Sequence, residues 1–374
     1  MKNQPLRRLK NQAGVAVVTA LLLTTLILIT ISSLRMQQQV QMRLIENQRL
    51  RLQSRWVILG ALDAVRFYLN EDCAHSTWDD LTEPWATPIA ETPIRHYAEK
   101  GQEEENSNIT LSGRTTDATA RYNLNNLAYN RVISKTEVDV LKNLLTNLRL
   151  NPALSTKIAE AIAAGQSLTG GAPALPPGTP QPPGGTPTPT PTPAPTPAPT
   201  PAPGSNPAVV PLPPTPGQEP APVNELDDLL NLPGMNQAIL DNLKNYVVIL
   251  PRPPINPATP QVLNLIPINV NTTSAEVLSA RIGTLTLSQA KSVILARDRA
   301  SFRDIGDFTS RLQQLTGASV TNPAALATTT DYFLVFARAR DGHAILETNA
   351  LIKRDKGSPG GPACKSQVLW IREN

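Results

Sequence analysis

This chain of 374 residues has only three histidines. His75, His96 and His343 are scattered, with no H-x-x-H or H-E-x-x-H spacing to hold a metal. Cys-x-x-Cys, Gly-x-Ser-x-Gly and a glycine-rich phosphate loop are also missing. These gaps take away the familiar signatures of metal, serine and nucleotide chemistry, and the chain reads as no enzyme. Cysteine is nearly absent too. Cys73 and Cys364 form an even pair far apart in sequence, which fits one disulfide in an oxidising compartment or two unrelated buried thiols. No charged residue occurs between Lys10 and Arg35, and no proline between Pro5 and Pro84.

What is abundant is proline: 37 residues, 22 of them between Gly171 and Pro222. That stretch, with its T-P and A-P repeats, reads as a polyproline II linker with no core of its own. The net charge of +4 would suggest an anionic partner, but its source is local. Lys2, Arg7, Arg8 and Lys10 carry four positive charges, so without them the remainder is neutral (4 − 4 = 0).

Val15 to Leu34 reads VAVVTALLLTTLILITISSL. Twenty residues at about 1.5 Å each span roughly 30 Å, the hydrocarbon thickness of a bilayer. The stretch is longer than the apolar core of a cleaved signal, and the basic leader holds the N-terminus in the cytoplasm. Helical character continues beyond it. Ile45, Leu52, Trp56, Leu59, Leu62 and Leu69 recur at sums of three and four, the period of one apolar face.

A short basic leader, Gly14 at its end and an apolar run from Val15 resemble a type IV pilin or pseudopilin. The resemblance implies that a prepilin peptidase cuts after Gly14 and methylates Val15. Most of that family carries a glutamate five residues into the mature chain, where this sequence has Thr19. A carboxylate in hydrocarbon costs about 2.5–3.5 kcal/mol unless a partner offsets it. In the family's filaments that partner is the terminal amine of the neighbouring subunit. A subunit with no neighbour above it gains nothing from the glutamate, and the K-type minor pseudopilin (GspK) is the class that lacks it.

Downstream motifs are similar to the same class. Trp78-Asp79-Asp80-Leu81 and Pro84-Trp85 follow the long helix. Gly113-Arg114, Asp117 and Arg121-Tyr122-Asn123-Leu124-Asn125-Asn126-Leu127 match G-R-x-x-D…R-F-N-L-N-N-L, with Tyr122 for the phenylalanine. Asn269-Val270-Asn271-Thr272 and Ala275-Glu276-Val277-Leu278 match N-V-N-T…A-E-V-L.

The resulting expectation is an α+β pseudopilin fold: a long N-terminal transmembrane helix, a small antiparallel sheet and a large inserted all-α domain of helix-hairpin-helix or SAM-like type. The divisions are 1–14 leader, 15–34 membrane part, 35–70 periplasmic helix, 71–130 first part of the sheet domain, 131–318 helical insertion with linker 171–222, and 319–374 closing strands. Helices are expected at Ser134 to Leu148, with Ser134 and Glu137 as a capping box, and at Ser155 to Ala164 and Ala238 to Tyr246. Further helices fit Ser274 to Ile282, Ser288 to Arg299 and Asp304 to Leu315. Strands are expected near Ile109, at Tyr332 to Ala339, Ala344 to Lys353 and Gln367 to Arg372.

Implied partners are the I- and J-type minor pseudopilins, other pseudopilins, the prepilin peptidase, inner-membrane lipid and secreted cargo, with the globular part in the periplasm. The resemblance also allows structural calcium. Asp79, Asp80, Asp331, Asp341 and Asp355 are scattered and no ligands are assigned. The competing reading is a membrane-anchored helix-hairpin-helix DNA receptor of a competence system. Four acids against one base between Asn224 and Leu250, and six bases against four acids between Ile255 and Leu315, argue against a phosphate-tracking surface.

Overall fold

The computed structural model describes residues 13–94, 109–166, 223, 225–251, 265–342, 344–356 and 364–373. The leader to residue 12, the proline-rich stretch 171–222, and His96 and His343 lie outside the described residues. The chain forms two compact units: Met1–Ala118 with Thr329–Asn374, and Thr119–Thr328.

In the first unit, helix α1 spans Ala13–His75, 63 residues, or about 95 Å. It runs five residues past the expected end at 70, and the Ser76 amide donates to the Asp72 carbonyl at 2.8 Å as it stops. Five strands follow: β1 (Ile89–Pro93), β2 (Ile109–Asp117), β3 (Tyr332–Asp341), β4 (Ala344–Asp355) and β5 (Lys365–Glu373). They pair antiparallel in the order β1-β2-β3-β4-β5. The sheet therefore joins strands from both ends of the sequence.

Along β3, alternation buries Phe333, Val335, Ala337 and Ala339 on one face. Ile58, Leu62 and Leu69 of α1 lie on that face together with Trp85, Ala350 and Ile352. The alanines let the helix approach the sheet closely, and each fully buried Leu or Ile contributes about 1.5–3 kcal/mol. Gly113 in β2 lacks room for a side chain: a Cβ there would sit 2.8 Å from the Phe336 carbonyl oxygen. The expected apolar stripe divides. Leu62 and Leu69 are buried against the sheet, whereas Ile45, Leu52 and Trp56 are exposed.

The second unit holds α2 (Lys135–Asn147), α3 (Leu154–Ala164), α4 (Gln237–Leu243), α5 (Ala275–Ile282), α6 (Leu287–Arg299) and α7 (Ile305–Thr316). Ser274, Thr286 and Asp304 cap α5, α6 and α7 by accepting from backbone amides. Gly317, at φ 70, ends α7 in the left-handed conformation that glycine adopts without strain. One core runs through the unit, from Leu141, Leu144 and Leu145 of α2 to the edge-to-face rings of Phe302 and Phe308, 5.0 Å apart.

Three expectations differ from this structure. The helical unit begins at Thr119 and ends at Thr328, rather than at 131 and 318. Tyr122, Leu124, Leu127 and Ala128 point into its core, and Ile268–Asn269 pairs in parallel with Leu326–Ala327. Helix α4 stops at Leu243 because Tyr246 turns to accept from the Tyr122 amide at 2.8 Å. Ser134 caps α2 without a side-chain hydrogen bond, and the Glu137 carboxylate, the reciprocal half of the expected box, is held by Arg281 instead.

Candidate functional site

Three regions carry the residues singled out above. The first is the start of α1. Gly14 and Val15 are already helical, and Thr19 follows one turn later among the exposed side chains of Val17, Val18, Leu21 and Leu22. Helix α1 is long and apolar enough to cross a membrane. Thr24, Thr25 and Thr30 each donate their hydroxyl to a carbonyl one turn back, at 2.9 Å. Those hydrogens are used within the helix, so this surface meets neighbours mainly by shape.

The second region lies at the far end of α1, about 85 Å away along the helix. Cys73 and Cys364 are joined there, with Cα atoms 6.2 Å apart across 291 residues of sequence. The bond ties the helix end to the start of β5. Next to Cys73, Asp72 accepts from Arg354 Nη1 at 2.8 Å. Arg354 Nη2 binds Asp79 and also donates to the Thr330 carbonyl at 2.9 Å. The guanidinium is fully buried and its carbon sits 4.8 Å from the Phe333 ring centre. Asp79 also accepts from the Thr330 amide at 2.6 Å and pairs with Lys356 at 3.3 Å.

Glu83 completes the group, accepting from Trp85 Nε1 at 2.6 Å. Burial pushes its carboxyl up to about 7, and the charges of Asp72 and Asp79 add to the rise against the Trp85 hydrogen bond. Burial also raises Asp72, against the pull of Arg354, and raises Asp331.

Carboxylate oxygens of Asp72, Asp79 and Glu83 lie within 4.8 Å of one another, which raises the question of a metal. Calcium takes six to eight oxygen ligands. Here Asp79 spends both oxygens on Arg354, Lys356 and Thr330, and the cationic side chains stand where a cation would be needed. In this arrangement the trio fits a salt-bridge centre, and no calcium is assigned to it.

In the third region, the motif residues of the helical unit bind backbone. Asn126 donates to the Ile266 carbonyl at 3.0 Å and accepts from the Ile266 amide at 3.2 Å. Asn271 does the same with both backbone groups of Phe302, at 2.8 Å each. Tyr122, the departure from the family's phenylalanine, donates its hydroxyl to Glu137 Oε2 at 3.1 Å. Glu137 holds Arg281 through two hydrogen bonds, at 2.7 and 3.0 Å, and the guanidinium lies 5.4 Å from the Tyr122 ring centre. These asparagines act as splints for chain segments that have little regular structure.

The sequence reading missed Arg354, Asp72, Glu83 and the Glu137–Arg281 pair. Arg354 carried a legible signal: it shares the parity of the inward positions Ala350 and Ile352. An arginine on the apolar face of a strand calls for buried carboxylates.

Residues 268–330 match the family model for type II secretion system protein K. A type II secretion system protein K from Pseudomonas aeruginosa is 26% identical over 346 residues, covering 89% of this chain and 86% of the relative. Over nearly its whole length, then, the chain is similar to the K-type minor pseudopilins of type II secretion. In fold it is similar to the crystal structure of the GspK-GspI-GspJ complex from enterotoxigenic Escherichia coli. The TM-score is 0.56 at 17% identity, over 87% of this chain and 98% of the matched one. With the exposed apolar run of α1, this chain is a membrane-anchored protein with a globular part.

Proposed function

We propose that this K-type pseudopilin stands at the tip of the type II secretion pseudopilus, where it initiates assembly with I- and J-type partners and supports protein export across the outer membrane. The observation that carries this reading is Thr19. It occupies the family's glutamate position within an exposed apolar run, so the anchor has no carboxylate to offer the amine of a subunit above it. The solved neighbour is a complex of K-, I- and J-type proteins, which supports the choice of partners. In this account prepilin peptidase cuts between Gly14 and Val15, the helix lies in the inner membrane, and both globular units are periplasmic, where the Cys73–Cys364 bond would persist.

The test is Thr19→Glu in the full-length chain. Tip-complex yield and secretion are expected to fall while the far-UV circular dichroism of the purified protein stays unchanged. Normal yield and normal secretion in the variant would count against the tip position.

A further inference from the structure

Past the apolar run, α1 carries five arginines between residues 35 and 55 and a single acid, Glu46. Arg55 pairs with Glu373 of β5 at 3.3 Å. Arg35, Arg43, Arg49 and Arg51 are exposed and have no ion-pair or hydrogen-bond partner among the described residues. Met42, Leu44 and Ile45 lie between them and are also exposed. From Arg35 to Arg49 the result is a helical rod, basic and apolar at once, whose described side chains are all exposed.

Two anionic partners suit such a rod: a phospholipid surface or an acidic protein surface. Height decides between them. With Leu34 at the membrane boundary, Arg43 stands about 14 Å above it and Arg49 and Arg51 about 22–26 Å. The screening length at physiological salt is about 8 Å, so Arg49 and Arg51 are beyond the reach of headgroup charge. Met42, Leu44 and Ile45 at the same heights would find water above a membrane, not hydrocarbon. A neighbouring helix anchored in the same bilayer supplies both needs at the right height, an apolar stripe and carboxylates beside it.

We propose that Arg43, Arg49 and Arg51 form a docking surface for an acidic, amphipathic helix of a co-anchored subunit, and that the I- and J-type partners provide it. This rests on the partner choice made above and adds the chemistry of the contact: opposite charges bracketing an apolar seam, which set register along the rod.

The experiment copurifies full-length chain with tagged I- and J-type partners in detergent, comparing wild type, Arg43→Glu/Arg49→Glu and Arg43→Lys/Arg49→Lys. Retention is expected to fall about tenfold in the glutamate variant. It should survive in the lysine variant and weaken for wild type as salt rises from about 0.1 to 1 M, where the screening length drops from about 10 to 3 Å. Unchanged tryptophan fluorescence would show that the glutamate variant is folded. Wild-type retention in that variant, insensitive to salt, would overturn the docking surface and leave the partner choice standing. A wild-type chain that retains neither partner at low salt would remove the partner choice and the inference with it. Retention that requires added phosphatidylglycerol would assign the arginines to lipid and also overturn the proposal.

Discussion

Arg354 in the sheet unit and Arg281 in the helical unit are both buried against carboxylates, and the two guanidiniums are balanced differently. Arg354 faces Asp72 and Asp79, with Glu83, Asp331 and Lys356 in the same neighbourhood. Arg281 faces a single carboxylate, Glu137, and the ring and hydroxyl of Tyr122. The first group gathers residues up to 282 positions apart, from the end of α1, the loop after it and β4. The second joins α2 to α5 within one helical core. A group with surplus carboxylates must hold protons, so it responds to pH. The difference suggests that the sheet unit depends on its arginine to gather the chain ends, whereas the helical unit uses its pair to fix the register of two helices.

The largest expected effect comes from Arg354→Met. It leaves Asp79 buried with Lys356 as its remaining cation, and breaking a buried pair in this way costs about 3–5 kcal/mol. All four tryptophans, Trp56, Trp78, Trp85 and Trp370, lie in the sheet unit. Denaturant titration followed by tryptophan fluorescence should therefore report this loss, while hydrogen exchange of the backbone amides in α2, α5 and α6 stays unshifted. A loss shared equally by both probes would contradict the separation of the two centres.

Next in size is the disulfide. Cys73→Ser/Cys364→Ser should destabilise the sheet unit by about 2–5 kcal/mol, because the bond closes a long loop of the unfolded chain. The same fluorescence titration reads it, and reductant should reproduce it in wild type.

Tyr122→Phe restores the family's residue but removes the hydroxyl that donates to Glu137. The carboxylate keeps Arg281, so the expected cost is about 1–2 kcal/mol, seen in hydrogen exchange of the α2 and α5 amides and not in fluorescence. Burial first, and then the Glu137 charge, holds the Tyr122 phenol well above the usual tyrosine range. No titration of this ring is therefore expected below pH 10, which absorbance at alkaline pH can check.

The smallest effect concerns Glu83, whose folded carboxyl lies at about 7 against an ordinary 4.5. A group that binds its proton more tightly when folded contributes stability that is complete below pH 4.5 and lost as pH rises through 7. Asp72 and Asp331, both raised, act in the same direction. The sheet unit should lose about 1 kcal/mol between pH 5 and 8 from Glu83, after discounting for its partial exposure. Glu83→Gln should flatten that dependence, with fluorescence-detected melting as the readout. An unchanged slope would show that Glu83 is not the group that titrates.

Much of this architecture was legible in the sequence. The twenty apolar residues from Val15, the alternation at Tyr332 to Lys353 and the capping residues Ser274 and Asp304 are local signals with local causes. Strand β1 was not legible, since all five of its residues are exposed and no alternation marks it. The Ser134–Glu137 spacing misled because a capping box and a buried ion pair use the same glutamate. Choosing between them requires knowing that Arg281, 144 residues on, arrives beside it. The Arg354 centre was hidden for the same reason: only the closed sheet brings Asp72, Asp79 and β4 together. Lateral docking by Arg43 and Arg49 depends on a second chain, and one sequence shows only that these charges lack local partners.

The most direct test of membership in the pseudopilin assembly is intact mass and N-terminal mapping of the protein purified from its native membrane. A mature chain beginning at methylated Val15 is expected, showing that α1 was processed for filament assembly. A chain still beginning at Met1, in cells with active prepilin peptidase, would contradict the account and leave a simple anchored protein.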